Sequence, residues 1–362
     1  MKFIVMAGGL GTKLWPMSRD SRPKQFQPIL QGKTLLQANI DALLTKYSPQ
    51  DIFIATNESY LPLIKEQVPM IPEENFIVEP SIRRDTGPAS GYALLKVSAK
   101  YPTEPIMFYV QPVVVREPTE KYIEMIEGIE SLLLRDRKLV SGGQKPDYPD
   151  VGSDYLQLGD TVESINGLEV HDVEKFVHRL GDFAKTRELL QNHVISTHCN
   201  HYSWFPNLAL QAYQKYKPEW YELLMKIKDS FGREDERELT EKYYAEMQPG
   251  RIEEVTVNVF NNGEGQIVIL PFKWTHISTW DDIYHFSEKD ELGNHLEGDV
   301  VTLETGNTIV KSANGKLTAV VGLDDVVVVN TDDVVLVCRR DKSGDVKKIL
   351  EQLKQEKKEQ YL

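Results

Sequence analysis

The sequence predicts an α/β protein with a doubly wound sheet, followed by a short all-β region. In the first part of the chain, apolar runs that fit strands alternate with stretches of helical periodicity. The apolar runs are continuous, as in parallel strands that helices cover on both faces. From Gly298 to Arg339 helical periodicity is almost absent, and short β-branched runs alternate with turn residues.

Four apolar runs predict the strands of the sheet: Phe3–Met6, Asp51–Thr56, Phe76–Val78 and Ile106–Val110. Between the first two, Leu36, Ile40 and Leu43 recur at helical spacing. The segment 139–280 is mixed and rich in aromatic residues, and we expect it to continue the same domain. Its tryptophans, which include Trp204, Trp220 and Trp274, are expected in the core.

The region after residue 290 has a different character. Evenly spaced short strands predict the coils of a β-solenoid or a small sandwich. The segment 345–357 returns to a charged helical pattern. The predicted division is therefore a first domain over 1–290 and a second over 291–362, with no strict internal repeat.

Composition limits the classes of partner. The formal net charge is -13, so nucleic acid or an anionic membrane would be repelled over most of the surface. The apolar run at the N-terminus is too short for a signal peptide or a membrane span. Cys199 and Cys338 are the only cysteines and lie far apart, which favours a reducing compartment. We expect a cytoplasmic protein without nucleic-acid or membrane partners.

The most specific motif is Ala7-Gly8-Gly9-Leu10-Gly11-Thr12-Lys13-Leu14-Trp15-Pro16, directly after the first strand. Glycines allow the backbone to approach phosphate oxygens, and successive N–H groups can form an anion-binding nest. Lys13 and the later Lys24 add cationic donors. A tight turn with ordinary surface lysines is the alternative for the glycine cluster alone. The Lys-Ser ending of a P-loop is missing.

The string from Ala7 to Phe26 resembles the signature of nucleoside-diphosphate-sugar pyrophosphorylases, in the version found in mannose-1-phosphate guanylyltransferases. The resemblance implies a Rossmann-like nucleotidyltransferase domain with a mostly parallel sheet and a small C-terminal left-handed β-helix-like domain. The sugar-binding part would be about 139–280. The family has Arg where this chain has Lys13, which keeps the charge but loses the planar fork.

Further motifs extend the resemblance along the chain. Glu79-Pro80 with Arg84–Pro88 resembles the family's EP…R(N/D)TAP element, Pro146–Tyr155 its sugar loop, and His178-Arg179-Leu180 its EKP. The implied nucleotide-binding residues are Gly8, Gly9, Gly11, Thr12, Lys13, Lys24, Gln25, Arg84 and Thr86. The implied sugar-binding residues are Gly152, Tyr155 and Asn200, and the implied catalytic residues are Lys13, Lys24 and Arg179. The resemblance also implies a homodimer.

The family reaction is attack of a sugar-1-phosphate oxygen on the α-phosphorus of a nucleotide, with release of pyrophosphate. The resemblance therefore implies Mg²⁺, which neutralises charge in such reactions. The two Asp residues that hold it in the family align here with Val114 and His276. A neutral imidazole is a poor ligand for Mg²⁺, which prefers oxygen. Four nearby residues are candidate replacements: Asp150, Asp154, Asp281 and Asp282. The metal ligands stay unassigned.

Three functional hypotheses follow. The first is a mannose-1-phosphate guanylyltransferase that transfers GMP from GTP to mannose 1-phosphate, giving GDP-mannose, with rearranged metal ligands. The second is a weak or inactive paralogue that binds nucleotide or sugar nucleotide as a regulatory or partner subunit. The third is a nucleotidyltransferase for another sugar phosphate.

Overall fold

The computed structural model describes residues 1–9, 14–30, 32–110, 112–151, 153–199 and 201–362. Contacts divide the chain into two compact units. The first, here the sheet unit, comprises Met1–Gly8, Asp41–Gln111 and Arg116–Trp274; the second, here the solenoid unit, comprises Gly9–Ile40, Pro112–Val115 and Thr275–Leu362. Composition predicts one boundary near residue 290, whereas the chain enters the solenoid unit three times. Apolar side chains explain this, because Leu14 and Leu35 share one cluster with Ile309.

The sheet unit contains a sheet in which ten described strands follow the order β11-β9-β10-β13-β8-β12-β6-β1-β4-β5. Their bounds are β1 Lys2–Met6, β4 Ile52–Thr56, β5 Phe76–Val78, β6 Ile106–Val110, β8 Leu139–Gln144, β9 Tyr155–Ile165, β10 Leu168–Val177, β11 Ile195–His198, β12 Tyr202–Trp204 and β13 Gly265–Ile269. The four strands predicted from apolar runs are β1, β4, β5 and β6, and the α/β class is confirmed.

The sequence predicts a mostly parallel sheet, but this holds only for the half of the sheet that contains β6, β1, β4 and β5. Strands β6, β1, β4 and β5 are parallel neighbours, but β12 separates β6 from β8 and is antiparallel to both. The long strands β9 and β10 are antiparallel as well. They meet at Asn166-Gly167, where both residues have positive φ, 50° and 82°. Asn-Gly is the dipeptide that a tight hairpin favours, so the sequence carries the signal for this reversal.

Helices cover the sheet and connect its strands. Their bounds in the chain are α1 Leu35–Leu44, α2 Leu61–Gln67, α3 Thr86–Lys100, α4 Thr119–Asp136, α5 Phe183–Asn192, α6 Pro206–Tyr216, α7 Pro218–Lys228, α8 Glu236–Glu246, α9 Glu253–Asn261, α10 Trp280–Phe286 and α11 Val346–Gln355. Between α6 and α7 the chain breaks at Lys217, because Pro218 disfavours a helical conformation at the residue before it. The sheet unit's core includes buried Trp204 and Trp220, as expected.

The solenoid unit contains parallel coils. Its strands are β15 His295–Glu297, β16 Asp299–Leu303, β17 Ile309–Ser312, β18 Leu317–Val321, β19 Val326–Asn330 and β20 Val335–Arg339. Asp299 pairs with Leu317 and Ile309 with Val327, so both pairs are offset by 18 residues. The turns repeat at the same offset in their backbone conformation: Glu304 with Gly322, and Asn307 with Asp325, all have positive φ. The repeat is thus one of geometry more than of residue identity.

Two tryptophans tie the early segment of the solenoid unit to its last residues. The indole of Trp280 donates to the carbonyl of Trp15 at 3.0 Å, and the indole of Trp15 donates to the carbonyl of Tyr361 at 2.6 Å. Both rings lie in the apolar cluster beneath the coils. The short strands β2 (Pro28–Leu30) and β3 (Lys33–Thr34) pair with each other, as do β7 (Val114–Glu117) and β14 (Lys273–His276).

Within the described ranges, every helix is too short or too polar to cross a lipid bilayer.

Candidate functional site

The first glycine of the predicted phosphate loop lies at the carboxyl edge of the parallel strands. The amide of Ala7 donates to the carbonyl of Ala55 at 2.8 Å, and the amide of Glu79 donates to the carbonyl of Thr56 at 2.8 Å. These bonds continue the pairing of β1 with β4 and of β4 with β5 by one residue. A Cβ placed on Gly8 would lie 3.3 Å from Oε1 of Glu79. The carboxyl edge of open α/β sheets is where such folds bind ligands.

Glu79 lines a cavity of about 470 Å³ in the sheet unit, together with Tyr92 and Thr240. Burial raises the pKa of the Glu79 carboxyl to about 7, and the charge of Arg83 opposes that rise. The buried hydroxyl of Thr240 has no hydrogen-bond partner within the described residues. The cavity is therefore lined by a carboxyl group of raised pKa and by an unpaired hydroxyl.

Arg84 and Thr86, both predicted to bind nucleotide, connect the start of α3 to the end of α8 and to the residue before α9. The Arg84 guanidinium donates to the carbonyl oxygens of Tyr244, at 3.4 Å, and Ala245. The Thr86 hydroxyl accepts from the amide of Ile252 at 3.0 Å. In this arrangement both side chains form hydrogen bonds with backbone groups of the protein. Their binding of a nucleotide stays a prediction.

Tyr155 and Arg179, from the predicted sugar-binding and catalytic sets, lie around the same loop of the sheet unit. The Tyr155 hydroxyl donates to the carbonyl of Asp150 at 2.7 Å, and burial raises its pKa to about 12. Asp154 accepts from the Arg179 amide at 2.8 Å and from its guanidinium at 3.3 Å. The Arg179 side chain is 53% exposed, so its remaining N–H groups can reach an anion.

Glu253 is a buried acidic residue that the sequence motifs do not identify. Burial raises the pKa of its carboxyl, with further contributions from the charges of Asp154 and Asp85. The acidic pair of the SxDxxxxE element, in the family that the chain resembles, aligns instead with Thr256 and Asn261. Asn261 accepts a hydrogen bond from the Phe176 amide at 2.7 Å, so it holds β10. Only the packing of α9 against the sheet brings Glu253 toward Asp154, which no sequence spacing could indicate.

Three predicted residues lie together in the solenoid unit. The Gln25 side chain, almost fully buried, donates to the carbonyl of Gly9 at 2.8 Å. The buried Lys24 ammonium donates to the carbonyl of Ile277 at 2.7 Å. The amide of Ile277 in turn donates to the carbonyl of Val113 at 2.9 Å. Lys24 is thereby fixed beside the pairing of β7 with β14, next to both positions that the resemblance assigns to metal ligands.

Those two positions do not fit Mg²⁺. Val114 is buried and its side chain carries no donor atom, and His276 offers a nitrogen ligand where the ion prefers oxygen. Within the part of the chain that the structure describes, no three His, Cys, Asp or Glu residues come close enough to hold one ion. We therefore derive no chemical step through a metal.

The four replacement aspartates considered from the sequence are already engaged. Asp282 caps α10 and accepts from both the amide and the hydroxyl of Ser278 and of Thr279, at 2.7–2.9 Å. Asp281 lies 3.3 Å from the Arg340 guanidinium. The Ser153 hydroxyl donates to Asp150 at 2.5 Å, and Asp154 binds Arg179 as described above. Their local roles in capping and ion pairing explain why these acids are present.

Five predicted residues lie outside the described parts of the chain: Gly11, Thr12, Lys13, Gly152 and Asn200. Their roles remain as predicted from the sequence.

Fold and family comparisons now define the class of protein. Residues 2–127 match the Nucleotidyl transferase family, and residues 298–353 match the MannoseP isomerase/GMP-like beta-helix domain. The two matches fall in the sheet of parallel strands and in the coils, respectively. The chain thus contains a nucleotidyl transferase domain at 2–127 and a β-helix domain at 298–353. The left-handed sense of the coils stays a prediction.

The relatives narrow the class. The chain is 28% identical to a mannose-1-phosphate guanylyltransferase of Escherichia coli, covering 97% of this chain and 75% of that protein. It is also 28% identical to xanthan biosynthesis protein XanB of Xanthomonas campestris pv. campestris, covering 97% of this chain and 73% of that protein. The crystal structure of mannose-1-phosphate geranyltransferase from Thermus thermophilus superposes with a TM-score of 0.83 at 22% identity, over 98% and 99% of the two chains. The chain is thus a homologue of sugar-phosphate nucleotidyltransferases.

The raised pKa of Glu79 predicts a pH dependence of stability. In the folded protein this carboxyl holds its proton up to about pH 7, whereas in the unfolded chain it loses it near its ordinary value of 4.5. The free energy of unfolding therefore falls as pH rises from about 4.5 to 7. Gln mimics the protonated form, so Glu79→Gln should match the wild type at pH 4 and exceed its stability by about 1–3 kcal/mol at pH 8. Urea denaturation at both pH values measures this difference.

The matched control is Glu66→Gln, an exposed acid on α2. Its profile should run parallel to that of the wild type at both pH values. Parallel profiles for Glu79→Gln as well would contradict the raised pKa.

Proposed function

We propose that this chain binds a guanine nucleotide and mannose 1-phosphate in the sheet unit, and that it transfers GMP to the sugar phosphate slowly. The observation that carries the proposal is the similarity to mannose-1-phosphate guanylyltransferases over 97% of the chain. Slow turnover follows from Val114 and His276. Loss of both metal carboxylates removes several kcal/mol of transition-state stabilisation, which is roughly a thousandfold or more in rate.

The cavity beside Gly8 supports recognition of guanine. The base presents two adjacent donors, N1–H and the N2 amino group, and a carboxylate such as Glu79 accepts from both. The free hydroxyl of Thr240 can donate to O6 of the base. Adenine lacks these two adjacent donors, so its binding would leave the charged carboxylate of Glu79 without a hydrogen-bond partner. The free-energy cost of that unpaired group discriminates strongly between the two bases.

The exposed guanidinium of Arg179 supports binding of a sugar phosphate. Asp154 fixes its backbone amide and contacts one guanidinium nitrogen, which leaves other donors directed outward. Arg offers bidentate hydrogen bonds to a phosphate. In this proposal Arg179 binds the substrate phosphate, and the roles of Lys13 and Lys24 stay those that the sequence resemblance implies.

The second candidate is a binding subunit without turnover. The engagement of Asp281 and Asp282 in local hydrogen bonds and ion pairs favours it, because neither acid is available without loss of the α10 cap or of the Arg340 pair. Both candidates require nucleotide binding, and they differ only in whether pyrophosphate is released.

Restoring the two aspartates tests the proposed function. Pyrophosphate release is measured with GTP, mannose 1-phosphate and Mg²⁺ for the wild type and for the double variant Val114→Asp, His276→Asp. We expect slow release by the wild type that Lys13→Ala abolishes, and an increase of at least about a hundredfold in the double variant, since two oxygen ligands return to the site.

The matched control is Val114→Asn, His276→Asn, which introduces similar polarity at the same positions without the charges. It should leave the rate near that of the wild type. A wild type with no release, stabilised against heat by GDP-mannose, would support the binding subunit. Absence of any stabilisation by GTP or GDP-mannose would contradict both candidates.

Glu79→Gln tests recognition of the base independently of turnover. In the wild type, GTP should raise the melting temperature more than ATP does, and isothermal titration should show at least about tenfold tighter binding of GTP. The variant places an amide N–H against the donors of guanine, so it should lose most of this preference. Glu66→Gln should retain it. An unchanged preference in Glu79→Gln would mean that the base lies elsewhere.

An exposed apolar strip on the coils supports a homodimer. On β16 and β18 the outward side chains of Val301, Leu303, Leu317 and Val321 are 56–60% exposed, and Leu303 pairs with Val321 in register. Contiguous apolar surface of this kind is typical of interfaces. A second copy of the chain has the same apolar strip. Two copies related by a twofold axis through the strip would bury both strips against each other.

Substitution in this strip should dissociate the dimer. The wild type is expected to show twice the chain mass in light scattering at micromolar concentration, and Leu317→Lys the single mass, because an unpaired buried charge is costly. Glu351→Lys, a charge change on exposed α11, should remain dimeric. A wild type of single mass at these concentrations would refute the dimer.

A further inference from the structure

A second cavity lies in the sheet unit, and none of its lining residues belongs to the proposed nucleotide site. It encloses about 420 Å³ between α6 and α9, next to the first residue of β8. Its apolar walls include Leu139, Ala212 and Val259. A cavity of this size accommodates a small organic molecule.

The cavity lies at the opposite edge of the sheet from Gly8. Trp204, in its lining, pairs with Ile106, the first residue of β6, and Leu139 begins β8. Gly8, in contrast, follows the last residue of β1, which is parallel to β6. A ligand in the cavity therefore meets the amino-terminal edge of the parallel strands and not their carboxyl edge.

Trp204 contributes a buried donor that lacks a partner. Its side chain is 1% exposed and its ring stacks on Phe108, with 5.8 Å between ring centroids and 19° between the planes. The indole Nε1–H has no acceptor within the described residues. An unpaired buried donor costs free energy, and a ligand that supplied an acceptor would recover it.

Three basic side chains surround the cavity: Arg137, Lys138 and Lys215. Lys215 pairs with Glu264 at 2.5 Å, and Lys138 lies 3.4 Å from Asp172. Arg137 has no acidic partner within the described residues; its guanidinium lies 4.1 Å from the centroid of the Phe205 ring. The lining therefore combines Arg137, which has no acidic partner in the described chain, with Glu264 paired to Lys215, the buried Trp204 and apolar walls.

We propose that this cavity is a second binding site, which takes a small organic anion with an apolar or aromatic body. Arg137 and Lys138 bind its phosphate or carboxylate group, and the apolar walls contact the body. Trp204 forms part of the wall beside the ligand. The site is independent of the nucleotide site and does not rest on the proposed function.

The first test follows the indole of Trp204 in the full-length protein labelled with 5-fluorotryptophan. Comparison with Trp204→Phe assigns its ¹⁹F resonance among those of the five tryptophans. Titration with 1-naphthyl phosphate should shift this resonance saturably, at a concentration below about 1 mM. No saturable shift of the Trp204 resonance up to about 10 mM, tenfold beyond that limit, would overturn the proposal.

Further probes distinguish the chemical class. We expect 1-naphthoate to compete for the same site, since both compounds carry an anionic group on an aromatic ring. Whichever of the two anions binds more tightly identifies phosphate or carboxylate as the natural group. Inorganic phosphate alone should bind at least about tenfold more weakly, because it leaves the apolar walls in contact with water. Uncharged 1-naphthol that bound as tightly as 1-naphthyl phosphate would overturn the assignment of an anion.

Matched arginine variants test the role of Arg137. Arg137→Gln should weaken binding of 1-naphthyl phosphate by about tenfold, because it removes a charge-assisted hydrogen bond. Arg233→Gln makes the same charge change at an exposed residue that pairs with Asp235 outside the cavity, and it should leave the affinity unchanged. Equal weakening in both variants would indicate a general charge effect and overturn the site. Unchanged melting temperatures of both variants show that the fold is intact.

Discussion

The parallel pairing of β1 with β4 is the constraint on which the candidate site depends. Because the strands run in the same direction and in register, the chain leaves both at one edge of the sheet. The next strand, β5, ends at the same edge. Glu79 directly follows β5 and therefore lies close to Gly8. A Cβ at Gly8 would lie 3.3 Å from Oε1 of Glu79, so a larger residue there would require the carboxyl group to shift slightly. The cavity that Glu79 lines and the raised pKa of its carboxyl both follow from this alignment.

The chain illustrates how one residue type serves different functions according to its local hydrogen bonds. Carboxylates near the expected catalytic positions are numerous, but those of Asp281 and Asp282 serve an ion pair and a helix cap. Glu79 and Glu253, in contrast, lie in environments that raise their pKa. The count of acids in the sequence therefore says little about metal binding. Their hydrogen-bond partners decide it.

Two cavities of the sheet unit differ in the charge of the residues that line them. Half of the residues that line the cavity beside Gly8 are glutamates, among them Glu58 and Glu241. The cavity at the other edge has basic side chains and an unpaired donor, which suit an anion. Opposite edges of one sheet thus favour ligands of opposite character. Because the strands between them are buried and closely packed, occupancy of either cavity can be measured separately.

The sequence determined the α/β class and the first four parallel strands, and its motifs predicted the β-helix-like domain. It could do so because these features depend on local periodicity and on motif identity. It did not determine that residues 9–40 join the solenoid unit, that half of the sheet is antiparallel, or that Glu253 approaches Asp154. Those outcomes depend on contacts between residues far apart in the chain. The unpaired indole N–H of Trp204 could not be predicted for the same reason. The sequence does not show whether an acceptor lies beside a buried tryptophan.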